Sequence, residues 1–246
     1  MNILVACKII PDDQDIQIAG DGSLDFSKAH QIVSEYDLNA IEFAAQLGEA
    51  TGSSVKAISV GAAAADDSKV KKNILSRGVD ELFLTADDAT ADLDSAATAA
   101  ELAKLANAAD GYDLIVVGTG SADFYAKQVG VHLAAKLDVP YVSGVTKATV
   151  NGSTVSCTRV LENVIENVDV PLPCVVSILP DAALPRIAGM KDILAAGKKP
   201  MNVSAAEGVA APAVSTVSLA APAAVDRKCE VFEDIDSFVA AVKAAL

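Results

Sequence analysis

Asp113-Leu114-Ile115-Val116-Val117-Gly118-Thr119-Gly120-Ser121-Ala122-Asp123 is the stretch on which the fold turns. Four apolar, mostly β-branched residues run into a glycine pair and then into polar residues. A short apolar run closed by glycine reads as a buried parallel strand. The residues after it, Phe124–Leu137, read as a helix, so the segment is a strand–turn–helix unit. In an open parallel sheet, ligands bind beyond the carboxyl ends of the strands. Glycines there let the backbone approach a phosphate, and a following helix offers free N–H groups. The spacing is neither the dinucleotide G-x-G-x-x-G nor a P-loop, since no G-K-[ST] follows. A tight turn with Ser121 as N-cap is the competing reading of the same residues.

Working outward, the same alternation recurs. Asn2–Cys7, Val55–Gly61 and Glu81–Thr85 read as strands, and Asp37–Ala50, Ala64–Arg77 and Asp92–Ala109 as helices. This predicts an α/β fold, a parallel Rossmann-like sheet covered by helices on both faces. Thr154–Val160 and Cys174–Leu179 are two further strands, with a hairpin-turn signal at Asn151-Gly152. Residues 1–200 thus form an α/β nucleotide-binding domain. Residues 201–225 are Ala, Val, Ser and Pro without strand alternation and read as an extended arm. A final helix, Asp236–Leu246, follows, with Ile235, Phe238, Val239, Val242 and Leu246 along one side.

Composition bounds the function. The 246 residues carry 19 Lys and Arg against 33 Asp and Glu, a net charge of −14. So acidic a chain lacks the basic footprint that nucleic acid and anionic membranes require. It has no Trp, 4 Tyr and 6 Phe, too few for stacking platforms along a nucleic acid. Cys7, Cys157, Cys174 and Cys229 are scattered and only His30 and His132 accompany them, so a zinc site or disulfide framework is not expected. Lys8 interrupts the N-terminal apolar run, which argues against a signal peptide. The uncharged stretch 208–225 has two prolines and few large apolar residues, a poor membrane span. A soluble, cytoplasmic protein is expected.

Ser34-Glu35-Tyr36-Asp37 fits a capping-box-like helix start, and it also lies where it would form a second wall of the crevice. Gln128 and His132, spaced i and i+4, share a helix face. No G-x-S-x-G elbow, nucleophile–base pair or paired carboxylates stand out. From the residues alone the reading ends at an acidic nucleotide-binding domain with an arm. It names no reaction and no catalytic residue.

Several segments, in order, resemble the β subunit of electron-transfer flavoprotein. Ile3–Asp13 (ILVACKIIPDD) is similar to that family's first strand and loop. Pro171–Ile178 (PLPCVVSI) and Leu184–Pro200 (LPRIAGMKDILAAGKKP) resemble its last strand and partner-recognition loop. DGSLDFSKA, SEYDLNAIE, LSRGVDELF and GSADFYAKQVG look like the subtype associated with anaerobic carnitine or crotonobetaine reduction. The resemblance implies a heterodimer whose α subunit carries FAD, with AMP or a second FAD held in this chain. It implies an electron carrier for an acyl-CoA dehydrogenase-type reductase rather than a stand-alone enzyme, with NADH oxidation added if the complex bifurcates electrons. By position, it implies nucleotide contacts from Ala6, Ser34, Glu35, Tyr36, Asp37, Val60, Gly118, Thr119, Gly120, Ser121, Asp123, Lys127, Gln128 and Val129. Leu184, Arg186 and Met190 would meet the dehydrogenase, and residues 201–246 would reach onto the α subunit. Departures are visible: Ser34-Glu35-Tyr36 stands for the usual N-P-F, Gln128-Val129-Gly130 for Q-T-G, and Ala183-Leu184-Pro185-Arg186 for N-E-P-R. They leave AMP and a second FAD both open. Fold alone also permits a stand-alone nucleotide-binding hydrolase, a stress-type sensor or a scaffold.

Overall fold

A computed structural model describes residues 1–223, 225, 227 and 229–245. In chain order the strands are β1 (Asn2–Ala6), β2 (Ile9–Pro11), β3 (Gln17–Ile18), β4 (Leu24–Asp25), β5 (Gln31–Val33), β6 (Ser54–Gly61), β7 (Glu81–Ala86), β8 (Leu114–Gly118), β9 (Tyr141–Asn151), β10 (Thr154–Val160), β11 (Ile165–Pro171), β12 (Cys174–Ile178) and β13 (Met201–Ser204). The helices are α1 (Glu35–Thr51), α2 (Ser68–Leu75), α3 (Ser95–Ala108), α4 (Val129–Leu137), α5 (Met190–Ala196) and α6 (Ile235–Ala245).

Nine strands form one sheet in the order β11-β10-β9-β12-β8-β1-β6-β7-β13. From β9 to β13 all neighbours are parallel, while β10 and β11 extend the sheet antiparallel. The expected four strands lie side by side, and the two between β12 and β6 are the most apolar: Leu114–Val117 and Ile3–Val5 are buried on both sides. The chain steps outward from β1 to β6 and β7, then returns to place β8 on the other side of β1. That reversal is a topological switch point.

Two apolar layers flank the sheet. Ile3, Val5, Cys7, Ala57 and Val116 pack with Ile41, Ala44, Val70 and Ile74 of α1 and α2. Leu4, Ala6, Ile58, Val60 and Val117 pack with Leu102, Ala106 and Leu133 of α3 and α4. Asp67 and Asp94 cap α2 and α3 by accepting backbone N–H groups, Lys69 and Val70 in the first case and Ala97 in the second.

Two strands are added and two expectations are corrected. Tyr141–Asn151 and Ile165–Pro171 are strands, joined with Thr154–Val160 into a meander whose first turn falls at Asn151-Gly152 as anticipated. The helix after β8 begins at Val129, not Phe124, because Tyr125 and Lys127 take left-handed backbone angles (φ 48° and 59°) that no helix continues through. The arm begins after Ser204, since Met201–Ser204 pairs parallel with Leu82–Thr85 as the sheet's edge.

Beyond β13 the arm is tied to the domain by side chains. Asp87 accepts from Ala206 N, Lys104 donates to the carbonyls of Glu207 and Gly208, and Asp94 accepts from Ala213 and Val214 N. Ala221 N then bonds Gly22 O at the β3–β4 turn. On α6, Ile235, Phe238, Val239 and Val242 are exposed; Leu246 lies outside the described residues. No helix among the described residues is long and apolar enough to cross a membrane.

Candidate functional site

The crevice at the switch point is bounded by the carboxyl ends of β1 and β8, by the start of α1 on one face and by α4 on the other. Ala6 pairs in register with Val117 of β8 and Ile58 of β6, placing it on the crevice floor. Val60, next to the last residue of β6, lies on the same face. Both are buried, so they shape the floor and offer no polar chemistry.

Two contacts explain the glycines. A Cβ on Gly118 would stand 2.5 Å from Asp37 Oδ1, and one on Gly120 would stand 2.5 Å from the Tyr125 ring. Glycine is needed at both positions for close approach, since neither has a positive φ. The loop from Thr119 to Gln128 then crosses to α1. Ala122 N donates to Ser34 Oγ at 3.2 Å, and the Tyr36 and Tyr125 rings lie 4.9 Å apart.

Ser34 is the N-cap residue of α1, yet its side chain caps nothing in its own helix. The capping box is therefore corrected: a hydroxyl that local sequence assigns to the helix is spent on the opposite loop. Ser121 is likewise not the N-cap of α4; its hydroxyl bonds Asp123 Oδ1 at 2.5 Å. Gln128 holds the N-cap position of α4 without a side-chain bond, so the first turn from Val129 keeps its N–H groups uncapped by that residue. Glu35, Lys127 and Gln128 are exposed at the rim, Thr119 half-buried. His132 is exposed on α4 beyond the crevice.

Electrostatics centre on a buried carboxyl. Asp37 is 5% exposed and accepts Lys8 N at 2.8 Å. Burial raises it to about 7, against the opposing pull of the Lys8 N–H, the Ser34 hydroxyl and the Lys8 charge. The Lys8 ammonium reaches over the crevice to Asp123 Oδ2 at 2.5 Å and lies 5.3 Å from the Phe124 ring centre. Burial works against the charge on Asp123 too, but Lys8 and Ser121 hold it below the usual carboxylate range. Lys127 sits 4.5 Å from the Tyr125 ring centre.

Lys8, Phe124 and Tyr125 were not singled out by sequence. Lys8 had a visible signal, a lysine breaking an apolar run just past a strand end. The aromatic pair was absorbed into a helix that begins five residues later. On a chain of net charge −14, the site sets Lys8 and Lys127 around the Phe124–Tyr125 segment, with Lys8 paired to Asp123. The uncapped N–H groups of the helix start suit an anionic group, and the rings beside them suit a flat one. Among the described residues there is no group of three His, Cys, Asp or Glu able to hold a metal.

A second locus lies at residues 184–190. Leu184, Ile187 and Met190 are 88%, 96% and 74% exposed, with Leu194 exposed beside them. Arg186 instead turns back onto α1, where Nε is 2.6 Å from Glu42 Oε2 and Nη1 is 2.7 Å from Glu49 Oε1.

The electron transfer flavoprotein domain model matches residues 22–224. That span takes in α1, the Thr119–Gln128 loop, the 184–190 loop and most of the arm. The chain belongs to the electron-transfer flavoprotein family, and its general role is that of an electron-transfer flavoprotein.

Proposed function

We propose that this chain is the β subunit of a heterodimeric electron-transfer flavoprotein, holding an adenine nucleotide in the switch-point crevice and exchanging electrons with an acyl-CoA dehydrogenase-type reductase. The observation that carries the reading is the crevice itself: a loop that needs glycine at 118 and 120, laid against a helix start whose N-cap side chain leaves the N–H groups free. These residues fit an adenine nucleotide. The uncapped turn at Val129, with Lys8 and Lys127, would hold phosphate. Gly118 lets the start of α1 close against the end of β8, and Ser34 fixes the facing wall through Ala122. Tyr36, Tyr125 and Phe124 offer ring faces at the rim.

The nucleotide is AMP or a second FAD. In the complex, FAD supplies the one- and two-electron chemistry, and this chain contributes binding and orientation. Its own side chains carry no acid–base step. Asp37 stays beneath the loop, where its bond to Lys8 N fixes the turn after β1. Only with a second FAD would the complex bifurcate electrons and oxidise NADH. The segments SEYDLNAIE and GSADFYAKQVG favour the subtype associated with anaerobic carnitine or crotonobetaine reduction. We place the protein in the cytoplasm.

Two exposed apolar features supply the contacts. The α6 side chains Ile235, Phe238, Val239 and Val242 suit an α-subunit groove, since a short helix with an uncovered apolar stripe is marginal alone. Leu184 and Met190 suit the dehydrogenase. Stopped-flow mixing of the co-purified α/β complex with a reduced acyl-CoA dehydrogenase tests the reading. Reduction of the complex's flavin supports it, and a flavin that stays oxidised at saturating dehydrogenase overturns it.

A further inference from the structure

The exposed loop at 184–190 is gripped from below by one helix. Asn39, Glu42, Gln46 and Glu49 succeed one another at helical spacing along α1. Asn39 Nδ2 donates to the carbonyls of Pro180 (2.9 Å) and Ala183 (2.8 Å). Glu42, 4% exposed, accepts three bonds from Arg186: Nε at 2.6 Å, Nη2 at 3.1 Å and the backbone N at 3.1 Å. Gln46 braces the same carboxylate at 2.7 Å. Glu49 takes Nη1 at 2.7 Å, and Arg77 of the neighbouring turn donates to the Arg186 carbonyl. Nε, Nη1 and Nη2 thus each donate within the chain, and a partner that pulled Arg186 away from Glu42 would have to break a buried, charge-assisted pair.

On either side of Arg186 the pattern inverts. Leu184 and Ile187 point outward, and Met190 follows at the start of α5. A surface loop with apolar side chains would ordinarily collapse them onto its own domain. Here the polar backing occupies the domain side, so the apolar side chains are left facing out.

We propose that Arg186 is a positioning residue for docking: clamped by Glu42 and Glu49, it holds Leu184, Ile187 and Met190 as one preset apolar face for the partner dehydrogenase. The proposal rests on the reading of this loop as the dehydrogenase contact. It gives Arg186 a role different from the direct contact that resemblance implies. A preset face spares the ordering cost that a loose loop meets on binding. Releasing the clamp means re-ordering even one backbone residue at each docking, which corresponds to about a tenfold weaker association.

The test is steady-state electron transfer between the α/β complex and an acyl-CoA dehydrogenase, with dehydrogenase concentration varied. Arg186→Gln is expected to raise KM for the dehydrogenase about tenfold with kcat unchanged, the mark of lost binding alone. Removing one partner leaves Glu42 buried and unpaired, so Arg186→Gln is accompanied by the double variant Arg186→Gln/Glu42→Gln, which leaves no orphan charge. The double variant is expected to match the single one in KM, as two halves of one clamp should. Met190→Ala separates the two readings. If Met190→Ala leaves KM unmoved, the docking reading falls and the clamp's role with it. If Met190→Ala raises KM while both clamp variants, folded and with unchanged nucleotide content, leave it at the parent value, the clamp alone is overturned.

Discussion

Replacing Asp37 with Asn should stabilise the protein in a pH-dependent manner. Asp37 is buried beneath the Gly118 turn, and burial holds its carboxyl at about 7 against 3.8 for an ordinary aspartate. The folded state therefore keeps a proton that the unfolded chain has already lost. By linkage, that favours the folded state below pH 4, and the advantage is lost as pH rises through 7. At about 1.4 kcal/mol per tenfold, ionising this group in place costs about 4 kcal/mol above pH 7. About 2 to 3 kcal/mol of that falls between pH 5 and pH 8. Asn keeps an oxygen to accept the Lys8 N–H and never ionises. Urea unfolding of parent and Asp37→Asn at pH 5 and pH 8 reads the effect directly. The variant should gain on the parent by about 2 to 3 kcal/mol between the two pH values. A difference that stays constant, or one that shrinks toward pH 8, refutes the buried-carboxyl reasoning.

Two further outcomes follow from the same geometry. Gly118→Ala places a methyl group 2.5 Å from Asp37 Oδ1, so it should cost about 1–3 kcal/mol and lower nucleotide retention; unchanged urea midpoint and nucleotide content would remove the close-approach account. Truncation after Ser204 keeps β13 and should leave a folded domain that no longer assembles with the α subunit, whereas truncation after Pro200 strips the sheet edge beside β7 and should also lower stability; size-exclusion chromatography with urea unfolding separates them, and a folded, fully assembling truncation at Ser204 would take the arm out of the interface.

The centre of the fold was legible because β1 and β8 are buried on both faces and run apolar almost throughout, and because β6 and β7 keep apolar majorities around Lys56, Ser59, Glu81 and Thr85. β11, by contrast, is largely exposed: Ile165, Glu166, Asn167 and Asp169 face solvent, and its pairing with β10 comes from the hairpin topology rather than from apolar alternation. β13 was hidden by its composition, since Met201–Ser204 owes its strand to the open edge of β7 and resembles the arm that follows. At the site, Gly118 and Gly120 were visible as glycines, but the reason for each, the Asp37 carboxylate and the Tyr125 ring, comes from segments 81 and 5 residues away in the chain. Ser34 illustrates the general difficulty. Its local pattern is that of a cap, and only the fold brings Ala122 N close enough to take its hydroxyl away. Arg186 is the same case at the second locus, where a basic residue in an exposed apolar loop turns inward to Glu42.

The most direct test of the central claim is the adenine nucleotide released by acid from the purified complex of this chain with its α subunit, quantified against protein by chromatography. One AMP or one further FAD per complex, in addition to the FAD of the α subunit, is the predicted result. A complex that is active in electron transfer yet releases a single FAD and no other adenine nucleotide would contradict it.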